Sequence, residues 1–204
     1  MAQTVRSRNK SERRAQLLNA AARLFAEQGF SNVSLEELGA TAGVSGPAVY
    51  RHFKSKDAVL AELLITGSKR TTEGGQAVVV AAKSDRGALR ALVDFHSNIA
   101  MNDRDMFRVQ DRDISRLSSS DALKVRTLQR TYVALWVDVL GRLQPDLPLS
   151  LIRTKVQATF GLLNSTPHST SRESNVETTK KLLAEMAMTA LLVKPSTSSH
   201  TLVS

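Results

Sequence analysis

The chain has 204 residues, a formal net charge of +9 and no cysteine. That length allows one substantial core with a small satellite. The missing cysteine excludes a disulfide framework, a thiolate metal site and a cysteine nucleophile, and fits a reducing compartment. The positive charge favours a polyanionic partner and is concentrated: residues 1–56 hold nine Lys/Arg against four Asp/Glu, an excess per residue more than three times that of the remaining chain. Met1 to Arg14 is basic and polar with no apolar segment behind it, so no signal peptide is expected. No apolar run approaches the roughly 18 residues that span a bilayer. A soluble, cytoplasmic protein without a membrane partner is expected.

Apolar residues recur at spacings of three and four nearly throughout, which predicts an all-α chain of about nine helices. The first is read over 11–28, with Leu17, Leu18, Ala21, Leu24 and Phe25 on one face. Gly29 supplies its left-handed stop and Phe30 folds back beside it. Ser34-Leu35-Glu36-Glu37 is a capping box that opens a second helix ending at Gly43. A third starts at Ser45 and runs to about Phe53, and a fourth begins after Ser55. Helices follow over 86–101, 104–117, 121–143, 149–165 and 175–193, with Pro145 and Pro148 breaking the chain between two of them. Gly74-Gly75 lies in the C-terminal half of the fourth helix, where two glycines cost roughly 2 kcal/mol relative to alanine, so a kink or early end is expected there. Residues 195–204 are polar and read as a disordered tail.

The stretch LEELGATAGVSGPAVYRHF (35–53) joins two short helices through Ala42-Gly43-Val44-Ser45. This is the turn of a helix-turn-helix, with glycine where the backbone goes left-handed and serine capping the next helix. Leu38, Val44 and Val49 are spaced to meet in a small core. The second helix opens on Gly46, Pro47 and Ala48, whose small side chains let its tip approach a major groove closely; Pro47 sits in the first turn, where its missing N–H is harmless. Ser34, Ser45 and Ser55 each cap a helix N-terminus that attracts anions. Tyr50, Arg51, His52, Lys54 and Lys56 add phosphate-seeking groups, and Arg6, Arg8, Lys10, Arg13 and Arg14 form a basic arm for an adjacent groove or the backbone.

From about Arg14 to Leu64 the sequence resembles the DNA-binding domain of the TetR family of bacterial regulators, through AARLFAEQGF (21–30), VSLEELGATAGVS (33–45) and AVYRHFKSKDAVL (48–60). The resemblance implies a three-helix DNA-binding domain over 1–56 and a helical effector-binding and dimerisation domain over 57–194. It implies phosphate contacts from Tyr50, His52 and Lys56, and base contacts from 45–47 and Arg51. Gly46-Pro47 departs from the family, where a long polar residue and then glycine often follow the turn serine. Base readout then rests on Arg51, on apolar contact from Pro47 or Ala48 to a thymine methyl, and on DNA shape. A fainter resemblance, in VSGPAVYRHF (44–53), RVQDRD (108–113) and FGLLNSTPHS (160–169), points to an actinobacterial subgroup associated with acyl-CoA catabolism. It suggests an acyl-CoA or related acid as effector and adds Asn164 and His168 to a candidate site.

In the second domain Phe107, Gln110, Asp111, Ile114 and Leu117 share one helical face. Gln110 and Asp111 there either orient a ligand or bond to a neighbouring helix. Phe95, His96 and Ile99 on the fifth helix, with Tyr132 and Trp136 on the seventh, are candidate walls of an apolar pocket. Asp111, Asp113 and His96 do not read as a metal site, because alternate residues on a helix point about 200° apart. Ile152, Val156, Phe160 and Leu163 form one apolar stripe, and Leu183, Met186, Ala187, Ala190 and Leu191 another. These are a core or the seam of a homodimer, and two-fold symmetry suits a palindromic operator.

The expected function is a transcriptional regulator, a repressor released from double-stranded DNA by a small molecule, with no cofactor and no enzyme activity. The rivals are a helical enzyme with an accessory DNA-binding head and a sequence-tolerant nucleoid protein. The four histidines are scattered, and no HExxH, P-loop, GxSxG or dinucleotide fingerprint is present.

Overall fold

The computed structural model describes residues 5–165 and 176–194, and every described element is helical. The helices are α1 (Val5–Gln28), α2 (Leu35–Thr41), α3 (Gly46–Tyr50), α4 (Lys56–Ala81), α5 (Asp85–Asn102), α6 (Arg104–Asp113), α7 (Ser119–Leu143), α8 (Leu149–Ser165) and α9 (Val176–Leu192), with 3₁₀ turns at Phe30–Asn32 and Ile114–Arg116. The predicted tail, 195–204, lies outside the described residues.

Local signals account for several helix starts. The Ser34 hydroxyl accepts from the Glu37 N–H, and Ser55 and Ser84 do the same for α4 and α5, each satisfying a backbone donor that has no partner inside its helix. Gly43 is left-handed at φ 66° in the turn between α2 and α3. Gly29 also has positive φ (89°), but its ψ of 145° is extended. The chain therefore leaves α1 through a glycine-only conformation different from the expected left-handed stop. Phe30 still folds back, its ring edge-on to Phe25 at 5.1 Å.

Two cores organise the chain. The first joins Leu17, Phe25, Leu38, Val49, Phe53, Leu60 and Leu64 with Met106 and Val109 of α6 and Val125 of α7. Leu38 and Val49 are buried and Val44 packs against them, as the turn spacing predicted. Gly39 makes that contact possible: a Cβ there would lie 2.6 Å from Val49 Cγ2 and 2.8 Å from the Val44 carbonyl oxygen. The second core joins Leu89, Leu92, Trp136, Leu140, Ile152, Val156, Leu163, Leu183 and Leu191 from α5, α7, α8 and α9. A boundary at 56/57 falls at the start of α4, whose first turns (Val59, Leu60, Leu63, Leu64) complete the first core.

Three expectations are corrected. Helix α4 does not end at Gly74-Gly75 but runs on without a break in its helical span to Ala81. The two glycines are the points where other helices come closest: a Cβ on Gly74 would meet Phe95 Cζ at 2.4 Å, and one on Gly75 would meet Tyr132 Cε2 at 2.4 Å. Packing gained through close approach offsets the weak helix propensity. Helix α1 begins at Val5 rather than Ser11, so the basic arm is helical. Helix α3 is only five residues, and Arg51 and His52 continue as a turn.

Candidate functional site: the helix-turn-helix face and an interior cavity

The exposed face of α3 and its flanks carries Ser45, Pro47, Tyr50, Arg51 and Lys54, with Gly46 and Ala48 half-buried between them. Ser45 occupies the N-cap position, but its hydroxyl makes no capping bond; its backbone carbonyl accepts from Ala48 and Val49 instead. That corrects its expected side-chain role. Arg51 stands exposed at the far end of the helix.

The neighbouring basic and aromatic groups differ in what else they hold. Tyr50 donates its hydroxyl to Glu36 Oε1 at 3.0 Å. Lys56 donates to the Ser31 carbonyl at 3.2 Å and sits 4.6 Å from the Phe30 ring centre; an ammonium has three donors, so two remain for a phosphate. His52 is half-buried with Nδ1 unpartnered. Burial, reinforced by Arg14, Lys10 and Arg51, holds its pKa below the usual histidine range, so at neutral pH it offers no positive charge. Arg14 pairs with Glu62, donates to the His52 carbonyl and covers the Phe53 ring at 4.3 Å. It fastens α1 to α4 and leaves the basic group that sequence assigned it to. Arg13 is exposed, bonded only to the neighbouring Gln16 at 3.1 Å. Ser34 is exposed beside its cap bond. The side chains of Arg6 and Arg8 lie outside the described set.

A cavity of about 320 Å³ lies between α4, α5, α6, α7 and α8. It is lined by six of the ten residues that sequence singled out: His96, Phe107, Gln110, Asp111, Tyr132 and Asn164. Phe95 instead packs over Gly74, away from this lining. Ile99 is half-buried outside it. Trp136 is fully buried behind the wall, its indole N–H without a hydrogen-bond partner. His168 lies outside the described residues.

Sequence reading missed Ser68, Thr71 and Thr72, a polar stripe at helical spacing on α4, and Gln129 on α7, one turn before Tyr132 and Val133. The Ser68 hydroxyl donates to Gln110 Oε1 at 3.1 Å, so the expected bond from Gln110 to a neighbouring helix and its place in the cavity wall hold together.

The floor of the cavity is a buried polar chain inside an aromatic cage. His96 lies 3.1 Å from Asn164 Oδ1 through Nε2 and 3.3 Å from the Tyr132 hydroxyl through Nδ1. The Asn164 oxygen can only accept, so the proton sits on Nε2 and Nδ1 accepts from Tyr132. Burial lowers the His96 pKa to about 4, against a small opposing pull from Asn164, and pushes the Tyr132 phenol up. Both are neutral at pH 7. Phe160 stacks on Tyr132 at 5.8 Å and tilts over His96 at 4.9 Å. With both of its nitrogens occupied, the His96 imidazole offers ring surface and no free lone pair to a bound molecule. Among the described residues no cluster of metal-ligating side chains occurs, and no helix is long and apolar enough to cross a membrane.

The residues expected at a dimer seam are redistributed. Val156, Leu163, Leu183 and Leu191 are buried in the protomer's own second core. Phe160 forms cavity wall. Only Met186 of the six is exposed, and it lies with Leu182 on the outer face of α9. The 3.6-residue period marks an apolar face but not what covers it. Here the chain covers it itself.

The family model for bacterial regulatory proteins of the tetR family matches residues 17–63, from the second half of α1 to the first turns of α4. The chain is 29% identical over 133 residues to the HTH-type transcriptional repressor KstR2 of Rhodococcus jostii, covering 64% of this chain and 65% of the repressor. It spans about half to two thirds of the length of the first curated relatives it matches. A TetR-family transcriptional regulator from Bordetella parapertussis superposes with a TM-score of 0.78 at 25% identity, over 88% of this chain and 93% of that one. AibR, solved with isovaleryl coenzyme A and operator DNA, superposes with a TM-score of 0.73 at 15% identity, over 87% and 96% of the two chains.

Proposed function

The chain belongs to the TetR family of bacterial regulatory proteins, and from that premise we propose that it is a cytoplasmic transcriptional repressor whose grip on a palindromic operator is released when a small molecule enters the cavity. One observation carries this reading. Helix α4 starts directly behind the helix-turn-helix at Lys56 and, about three to four turns later, supplies Ser68, Thr71 and Thr72 to the cavity wall. A ligand that displaces that wall moves the lever on which the DNA-binding head is mounted. Release requires only that the ligand bind the DNA-free arrangement more tightly, by the usual coupling of about 1–3 kcal/mol.

On this reading Arg51 is the base-reading cation. Ser45, Pro47 and Ala48 lie against base edges or thymine methyls, while Lys54, Lys56 and Arg13 neutralise phosphates. The effector is an acyl-CoA or a related metabolite. Its apolar portion fits the Phe107–Tyr132–Phe160 cage and a carbonyl or hydroxyl meets Gln110 or Asn164. The partner in a homodimer meets the outer faces of α8 and α9, where Leu151, Leu182 and Met186 are exposed.

The decisive experiment sequences duplexes that the purified chain selects from a random library, then titrates the selected duplex with isovaleryl-CoA and longer acyl-CoAs. A palindromic motif favoured at least about 10³-fold over random DNA at physiological salt is expected, with release by one member of the series. Salt-sensitive binding without a motif refutes the regulator and supports the nucleoid-type rival. Turnover of a ligand in the cavity supports the enzyme rival.

A further inference from the structure

We propose that Glu36, in the first turn of α2, is a specificity-determining residue: its carboxylate enters the major groove beside α3 and accepts a hydrogen bond from an exocyclic amino group, cytosine N4 first among them. The inference rests on the chain's being a DNA-reading regulator.

The geometry points there from three sides. Glu36 is exposed, and its Oε1 lies 3.0 Å from the hydroxyl of Tyr50, which is itself exposed on α3. A Cβ on Gly46 would come within 4.0 Å of Glu36 Cγ, so the side chain runs alongside the first residue of α3. The adjoining acid is directed elsewhere: Glu37 accepts from Gln28 at the end of α1. Gly46 and Pro47 bring no hydrogen-bonding side chain to the helix tip, and Glu36 occupies the space beside them.

Chemistry selects the partner. A carboxylate on the DNA-facing surface repels phosphate and finds its match in a donor. The donors on major-groove base edges are cytosine N4 and adenine N6, and glutamate pairs with the former. Its own backbone N–H and the Tyr50 phenol hold Glu36 below the usual carboxylate range, so it is an acceptor only. The phenol, in giving its single proton to Glu36, has none left for a phosphate. Tyr50 is thus a positioning residue for Glu36, a role different from the phosphate contact implied by family resemblance.

The test compares motifs selected from a random duplex library by the full chain and by E36A, E36Q and Y50F, at one salt concentration with competitor DNA. Expected is a cytosine at one position per half-site, whose preference falls on the order of tenfold in E36A. In E36Q the preferred base changes to adenine, because an amide offers the donor–acceptor pair that matches adenine N6 and N7. In Y50F cytosine is kept with a weaker preference. The proposal is overturned if E36A and E36Q select the unaltered motif, or change affinity equally for all duplexes, as a purely electrostatic or structural glutamate would. A chain that enriches no motif overturns the regulator reading itself and this inference with it.

Discussion

Nε2 of His96 lies 3.1 Å from Oδ1 of Asn164, a residue 68 positions further along the chain, and that contact ties α5 to α8 across the cavity floor. The histidine is buried and neutral, its pKa lowered from 6.5 to about 4 by desolvation. Between those two values the unfolded chain binds a proton that the folded chain excludes, so stability rises with pH through that window and is flat above it. The loss from pH 7 to below 4 is expected to reach about 3 kcal/mol from this residue. Urea midpoints measured across that range for the chain and for H96Q check it. His52 contributes in the same direction, so H96Q should flatten most of the slope without abolishing it. Parallel curves would disprove the assignment.

The two adjacent glycines of α4 are expected to respond differently to alanine. At Gly75 the new methyl meets Tyr132, which is buried and held by His96, so it cannot yield. Overpacking there is expected to destabilise by about 1–3 kcal/mol. At Gly74 the obstacle is Phe95, half-buried and able to swing outward. The gain in helix propensity, about 1 kcal/mol, then roughly cancels the clash. Thermal unfolding of G74A and G75A distinguishes them; equal losses would mean that Phe95 is as fixed as Tyr132.

Arg112 joins the cavity helix to the DNA-binding head. Its guanidinium donates to the Phe25 carbonyl in the last turn of α1 and to buried Asp113, which Arg116 also holds at 3.0 Å. On the opposite side of α6, Phe107 and Gln110 line the cavity. R112A leaves the Asp113 carboxylate with one partner. Because Arg112 is itself half-exposed and screened, the expected loss is about 1–2 kcal/mol. Operator affinity of R112A should stay within a few-fold while the response to effector weakens. An unchanged response would remove α6 from the coupling route.

The only tryptophan in the sequence reports on the cavity. Trp136 is edge-on to Phe160 at 5.0 Å and to His96 at 6.0 Å, both in the lining. Ligand entry should alter its emission in step with operator release, and F160A should uncouple the optical signal from binding. Release by isovaleryl-CoA or a longer acyl-CoA with no change in Trp136 emission would locate the effector elsewhere.

The helix-turn-helix was legible because its determinants are local. Ser34 capping Glu37, Gly43 at positive φ and the Leu38–Val44–Val49 contact all lie within 16 residues, and the chemistry of each residue type implies its conformation. Arg14, Lys56 and Tyr50 were read as groups for the DNA backbone, but sequence could not show that Glu62, Ser31 and Glu36 engage them. Those partners come from other segments. The cavity was half legible: aromatic and polar residues on α5, α6 and α7 stood out, whereas Ser68, Thr71 and Thr72 passed as ordinary helix surface.

By itself, then, the sequence determined helices, the caps at Ser34 and Ser55, the turn and the family, because backbone preferences and 3.6-residue periodicity act over a few residues. Only the tertiary structure decided which apolar stripe is core, why Gly74 and Gly75 are tolerated, and which distant groups meet at His96. Those outcomes depend on how closely whole helices approach one another, a distance that no short stretch of chain specifies.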